Sequence, residues 1–252
     1  MTWIRTGTDN FPIEQGEAAA AFTEKLRINN SFSHHNKQKC FYGRLIIRVS
    51  VKHVAFTDEK GWLIVKYNDG STYPPLPQYL RVDYLKSEGG RDFFKIVEGK
   101  SSGKEASVRH KQDGGSFLAD GDPTLNEGII HFVIETKQLF YRDGENWIGP
   151  ITTVTDPSNP VPIGTHDIEI PDEIHDKARS YISQTPFAET WFRIGHDGDR
   201  YLHPGSITLG CVTVTDIPKW TEIYNYLIKR RKGDGKSVSI IQVFNKNSER
   251  QL

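Results

Sequence analysis

Cysteine is scarce in this chain: among 252 residues only Cys40 and Cys211 carry a thiol. Two are too few for a disulfide scaffold, and no C-x-x-C spacing offers zinc binding or thiol exchange. A single bridge between them stays open at this level; taken alone, Cys40 reads as a small buried hydrophobe. An excess of either charge is also missing. Lys+Arg and Asp+Glu number 32 each, so no global field steers the chain toward nucleic acid or an anionic membrane. No apolar run approaches the ~20 residues of a membrane span. The opening stretch MTWIRTGTDNFPIEQGE lacks the charged n-region, apolar core and small-residue cleavage site of a Sec signal. The expectation is a soluble protein synthesised in a cytoplasm.

What is present points to strands. An aromatic content of 11% with 22 Gly and 13 Pro is that of a folded, turn-rich chain, because disordered chains lack so many large apolar groups. The fold class expected is mainly β with few helices. Residues 1–42 are an N-terminal helical or irregular segment, with helix formers from Ile13 to Ile28. Residues 43–111 read as a small β-rich, SH3-like barrel. RLIIRVSV, HVAFT, WLIVKY, DFFKIV and EASVRH are short β-branched or aromatic runs, with a hairpin-type turn at Asn68–Ser71. Residues 112–128, dense in Gly and Asp, form the expected linker. Residues 129–245 make a second domain, opened by a hairpin turning at RDGEN and closed by SVSIIQVF. Between them Trp220, Ile223, Tyr224, Leu227 and Ile228 form the apolar stripe of one amphipathic helix, with Asp216 as N-cap and an end at Gly233. Residues 246–252 are a polar tail.

Some motifs fail on spacing. GKSSGK at Gly99–Lys104 and GDGKS at Gly233–Ser237 lack the first glycine of a phosphate loop. The basic run Lys229–Lys232 reads as the solvated end of the helix, where positive charge suits the dipole. His196, His203 and Cys211 follow no zinc-finger spacing, so no metal is expected.

The stretch HDGDRYLHPGSITLGCV, His196 to Val212, offers nucleophilic chemistry instead. A catalytic cysteine needs a base, oxyanion donors and room for substrate. Gly210 removes a side chain beside Cys211, and the N–H groups of both residues can face an oxyanion. His196 and His203 lie upstream at a distance that fits two adjacent strands, so an imidazole can face the thiol and lower its pKa. His196 is favoured as the base; His203 is the alternative, or shapes the loop. Ser206 and Thr208 supply hydroxyls that orient substrate or base.

These residues resemble the L,D-transpeptidase, or YkuD-like, catalytic domain, whose signature is a histidine followed by [S/T]-x-G-C and an apolar residue. Here that is His196 and TLGCV. The HPGS…GC pattern is similar to a divergent branch that includes peptidoglycan-directed type VI secretion effectors. IIHFVIETKQLFYRDGENW and NPVPIGTHDIEI occupy the places of the family's upstream hairpin and TP-G segment, so the resemblance covers Ile129 to Phe244. The family's usual residues two before and two after the cysteine are replaced by Leu209 and Thr213. The resemblance implies that residues 129–245 form a β-sandwich and that the protein is a cysteine-dependent L,D-transpeptidase or L,D-carboxypeptidase acting on peptidoglycan tetrapeptide stems through a thioester. Cys211, His196 and Gly210 are then catalytic, and Ser206, Thr208, Thr213 and Asp197 line the substrate site. No cofactor is implied. The branch further implies an antibacterial effector exported to a periplasm or cell wall, with secretion machinery and an immunity protein as partners. The alternatives are an inactive wall- or partner-binding scaffold, and a cysteine hydrolase acting on another amide.

Overall fold

A computed structural model describes residues Ser50 to Asn245. The expected N-terminal segment 1–42, Cys40 and the tail 246–252 lie outside the described residues. Within them the architecture is mainly β, as expected, with one α-helix, Trp220–Ile228.

The first sheet has six strands in the order Lys66–Tyr67, Glu105–Arg109, Arg91–Ile96, Arg81–Glu88, Ser50–Val54 and Leu118–Asp120, all antiparallel. Alternation drives it. In Arg91–Ile96 the residues Asp92, Phe94 and Ile96 turn inward and are buried. The buried carboxylate of Asp92 is satisfied by the Ser116 hydroxyl at 2.6 Å and His110 Nε2 at 3.0 Å, as a buried polar group requires. The strand Arg81–Glu88 escaped the sequence pattern because its second half is exposed and charged.

The second sheet has eight strands, in the order Gly164–Glu169, Ser237–Phe244, Gly128–Val133, Gln138–Asp143, Asn146–Val154, Val212–Val214, Tyr201–Pro204 and Phe192–Arg193. Its second and third strands, Ser237–Phe244 and Gly128–Val133, pair in parallel. Its two outer strands meet again through a bridge between Ile168 and Ile194 and a hydrogen bond from Gly195 N to Asp167 O at 2.7 Å. The sheet therefore nearly closes on itself, and the closure brings His196 beside the strand that carries Asp167 and Glu169.

The helix buries the predicted stripe: Trp220, Ile223, Tyr224, Leu227 and Ile228 are fully enclosed, each worth roughly 1.5–3 kcal/mol of transfer free energy. Tyr224 stacks on Phe187 at 3.8 Å between ring centroids, and the Trp220 indole donates to Phe187 O at 3.0 Å. The helix is shorter than expected. A short 3-10 turn, Ile217–Lys219, precedes it, Asp216 makes no side-chain cap, and Lys229 already ends it. The chain then straightens so that Arg230–Arg231 pairs with Leu125–Asn126. The basic run is thus not a solvated helix end. Arg231 is buried, with its guanidinium on the fully buried Glu98 at 2.8 Å, and this enclosed carboxylate draws it inward.

Residues 112–128 lie between the two sheets and contribute Leu118–Asp120 to the first and Leu125–Asn126 to the pair with Arg230–Arg231. We keep a domain boundary in this stretch as a proposal. Limited proteolysis is expected to cut first among residues 121–127, mostly exposed, leaving fragments that stay associated through Glu98 and Arg231. Early cuts elsewhere would remove the boundary.

Candidate active site around Cys211

Cys211 sits where the loop of residues 205–211 enters the strand Val212–Val214. That strand runs parallel to Tyr201–Pro204, with Leu202 opposite Val212 and His203 opposite Thr213. The loop is much shorter than the dozen or so residues a parallel crossover ordinarily takes. Gly210 makes this possible. Its φ is +112°, and a side chain there would collide with the Asn159 carbonyl and the Arg200 guanidinium, so only glycine fits.

Arg200 locks the loop. Its guanidinium donates to Gly210 O at 2.8 Å, to Asn159 O at 2.7 Å and to Asn159 Oδ1 at 2.7 Å. Thr208 Oγ1 donates to Cys211 O at 3.1 Å and accepts from Gly210 N at 3.2 Å. The Gly210 N–H, a candidate oxyanion donor, is therefore held by Thr208. The thiol lies against the neighbouring strand: Sγ accepts from Tyr201 N at 3.4 Å and faces Asp199 O at 3.7 Å. Burial pushes the thiol pKa up, although the Tyr201 N–H and the Arg200 charge pull the other way.

His203 is 4% exposed. Its Nδ1 lies 3.0 Å from Pro204 O and its Nε2 3.0 Å from Thr213 Oγ1. A carbonyl only accepts, so Nδ1 carries the proton and Nε2 is the basic atom, accepting from the threonine hydroxyl. Burial pushes its pKa down to about 4. The resting state is thus a thiol and a neutral imidazole, in place of the lowered thiol pKa expected from sequence, because desolvation disfavours both charges.

His196 is placed differently. It is exposed, with Nδ1 2.8 Å from Glu169 Oε1 and Nε2 3.0 Å from Asp167 Oδ2. Hydrogen bonding to Glu169 raises its pKa; burial opposes the rise, and the hydrogen bond to Asp167 and the charges of both carboxylates outweigh that opposition. Both ring nitrogens are occupied by carboxylates, whereas His203 lies on the strand paired with Val212–Val214, which directly follows Cys211. Of the other expected residues, Asp197 is exposed, and Ser206 is exposed with its hydroxyl 2.9 Å from that of Tyr181. Thr213, expected at the substrate subsite, is fully buried and gives its hydroxyl to His203.

Among the described residues the only three-donor group close enough for a metal ion is Asp167, His196 and Asp234. Lys232 already sits on Asp167 at 2.5 Å, and the Asp234 carboxylate takes the backbone N–H groups of Lys236 and Ser237. The ammonium and these turn contacts occupy the ligands, and His196, His203 and Cys211 do not form such a group.

Sequence reasoning passed over Arg200, Asn159 and Trp191. The indole of Trp191 stacks on His203 at 4.1 Å. Arg200 and Trp191 flank the HDGD stretch, but an arginine aimed at backbone carbonyls leaves no spacing signature.

The histidines are expected to titrate apart. His203 and His175, each held by burial at about 4 against an ordinary 6.5, stay neutral in the folded chain while the unfolded chain takes up protons below 6.5. Stability therefore falls as pH drops from 6.5 toward 4, by on the order of 3 kcal/mol per histidine. His196 has the opposite sign: its raised pKa adds stability below 6.5 that is lost as pH rises through the folded value. Side-chain NMR titration checks this, and a common midpoint for all three would contradict it.

No family model and no curated protein matches the chain. Solved structures give low-level overlaps. It is similar to an L,D-transpeptidase from Mycobacterium smegmatis at 12% identity and a TM-score of 0.32, over 65% of this chain and 99% of that one. It is similar also to L,D-transpeptidase 1 of Mycobacterium tuberculosis at 14% and 0.30, over 78% and 95%. An Enterococcus faecium L,D-transpeptidase overlaps at 13% and 0.29, over 72% and 87%. Overlap this low assigns no activity, which must be argued from the residues.

Proposed function

We propose that this protein is a cysteine-dependent L,D-transpeptidase or L,D-carboxypeptidase acting on peptidoglycan tetrapeptide stems, with Cys211 as nucleophile and His203 as base. The observation that carries the reading is the tautomer of His203. Pro204 O takes the Nδ1 proton and leaves Nε2 basic, on the strand beside Cys211 and on the face shared with Thr213. A backbone carbonyl here does the orienting work that a carboxylate does in a serine triad.

The chemistry follows from that arrangement. The Cys211 sulfur attacks the amide carbonyl that precedes the terminal D-residue, and its proton passes to His203 Nε2. The oxyanion is assigned to the Cys211 N–H, joined by the Gly210 N–H once substrate displaces its bond to Thr208; such a donor is typically worth about 3–4 kcal/mol. As the C–N bond breaks, His203 returns the proton to the leaving D-amino acid and a thioester remains. An amine of a second stem resolves it to a cross-link, a free D-amino acid to an exchange product, and water to a trimmed stem. Since the resting thiol is protonated, transfer to His203 accompanies the attack.

The antibacterial-effector role, with an immunity protein and a dedicated export route, rests on the HPGS…GC pattern and is part of this proposal. So is the substrate role of Ser206, Thr208 and Asp197. The test is intact-mass spectrometry of the full chain incubated with purified tetrapeptide muropeptides and quenched in acid. A mass increase equal to the stem minus the released D-amino acid, lost on hydroxylamine treatment and mapped to Cys211, is expected. Unchanged mass and an unchanged muropeptide profile from folded protein would transfer the weight to a binding scaffold.

A further inference from the structure

We propose that Trp191 is a positioning residue for His203: its indole face holds the imidazole and carries the positive charge that His203 acquires when it takes the Cys211 proton. This rests on the reading of Cys211 and His203 as nucleophile and base.

That proton creates a cation where His203 is 4% exposed, and a buried cation requires a compensating partner. The polar groups touching the ring are Pro204 O and the Thr213 hydroxyl. Among the described residues no carboxylate pairs with it. Pro204 O already accepts the Nδ1 proton in the neutral form, so it adds no new contact. On protonation Nε2 becomes a donor, and the Thr213 hydroxyl must turn to accept from it. The remaining group is the indole, whose centroid lies 4.1 Å from that of the imidazole with the planes 22° apart. That is within cation–π range, and tryptophan is the strongest such partner among the side chains.

The indole is held in place. Its Nε1 donates to Ala188 O at 3.1 Å, and it also stacks on His175 at 4.3 Å and 7°. Tyr201 packs against it edge-to-face at 5.7 Å between centroids. Trp191 therefore stacks on two imidazoles, one of which gains a proton in turnover while the other must stay neutral. The groups around His175 keep it so. Burial lowers its pKa to about 4, Asp172 opposes that, and Arg193 and Lys177 reinforce it; Glu173 stands 3.8 Å from its Nε2. Of the titratable groups, it is His175 whose charge bears on His203.

The experiment weakens the ring's electrostatics without changing its shape. Mono-, di-, tri- and tetrafluorotryptophan are incorporated at position 191 of the full chain, and kcat and KM on tetrapeptide muropeptides are measured across pH. The expected result is a stepwise fall in kcat with each fluorine, reaching about 10-fold overall, with KM unchanged and the acidic limb displaced to lower pH. Trp191→Phe is expected to retain most of the rate and Trp191→Leu to lose it, each checked for a folded circular dichroism spectrum. A flat fluorine series, or an acidic limb that moves to higher pH, overturns the role of Trp191. His203→Ala separates the two levels: an active His203→Ala removes the base assignment, whereas an inactive one with a flat fluorine series removes only the inference on Trp191.

Discussion

Cys211→Ala is expected to bring muropeptide conversion down to background, because the proposed thioester would form on that sulfur. His203→Ala is expected to lose about 10²–10⁴-fold, the range associated with a general base. His196→Ala should lose less than about 5-fold in kcat/KM. The contrast between the two histidines follows from their surroundings. His203 Nε2 accepts only the Thr213 hydroxyl, whereas both nitrogens of His196 face carboxylates. Product analysis by liquid chromatography of the three purified variants decides it. An inactive His196→Ala beside an active His203→Ala would exchange the roles.

Glu98→Ala is expected to cost the most in stability, about 3–5 kcal/mol, because it strands a buried guanidinium. Arg231 Nε donates to Glu98 Oε1 at 2.9 Å, Arg81 N donates to the same oxygen at 2.9 Å, and Arg81 Nε donates to Oε2 at 2.8 Å. Arg231 spends its remaining donors on the carbonyls of Ile228, Arg230 and Tyr79. The network is satisfied throughout and joins the six-stranded sheet to the segment that follows the helix. Against a typical total of about 5–15 kcal/mol, such a loss lowers the urea midpoint sharply. The double replacement Glu98→Leu with Arg231→Met is expected to lose less than Glu98→Ala alone, since it removes both charges. Equal or greater loss in the double variant would mean that Glu98 acts through packing rather than charge.

Local pattern made the mainly β class legible, and with it the helix stripe from Trp220 to Ile228, the turn at Asp143–Asn146 and the final strand. Each of these depends on the periodicity of apolar side chains along a few residues, which tertiary contacts reinforce rather than alter. The helix end was misread for the opposite reason. Nothing near Lys229–Lys232 announces Glu98, more than a hundred residues earlier, and that buried carboxylate decides where Arg231 goes.

The sequence by itself singled out the candidates for reactive chemistry: Gly210 and Cys211 stand together in a Ser/Thr-rich loop, with histidines at strand-pair distance. Tertiary structure decided how each histidine is held and in what state. Near-closure of the eight-stranded sheet sets His196 against Asp167 and Glu169, and parallel pairing sets His203 against Thr213 with Trp191 on its face. Register and burial are properties of strands brought together from distant parts of the chain, and they set the tautomer, the depressed imidazole pKa and the protonated resting thiol.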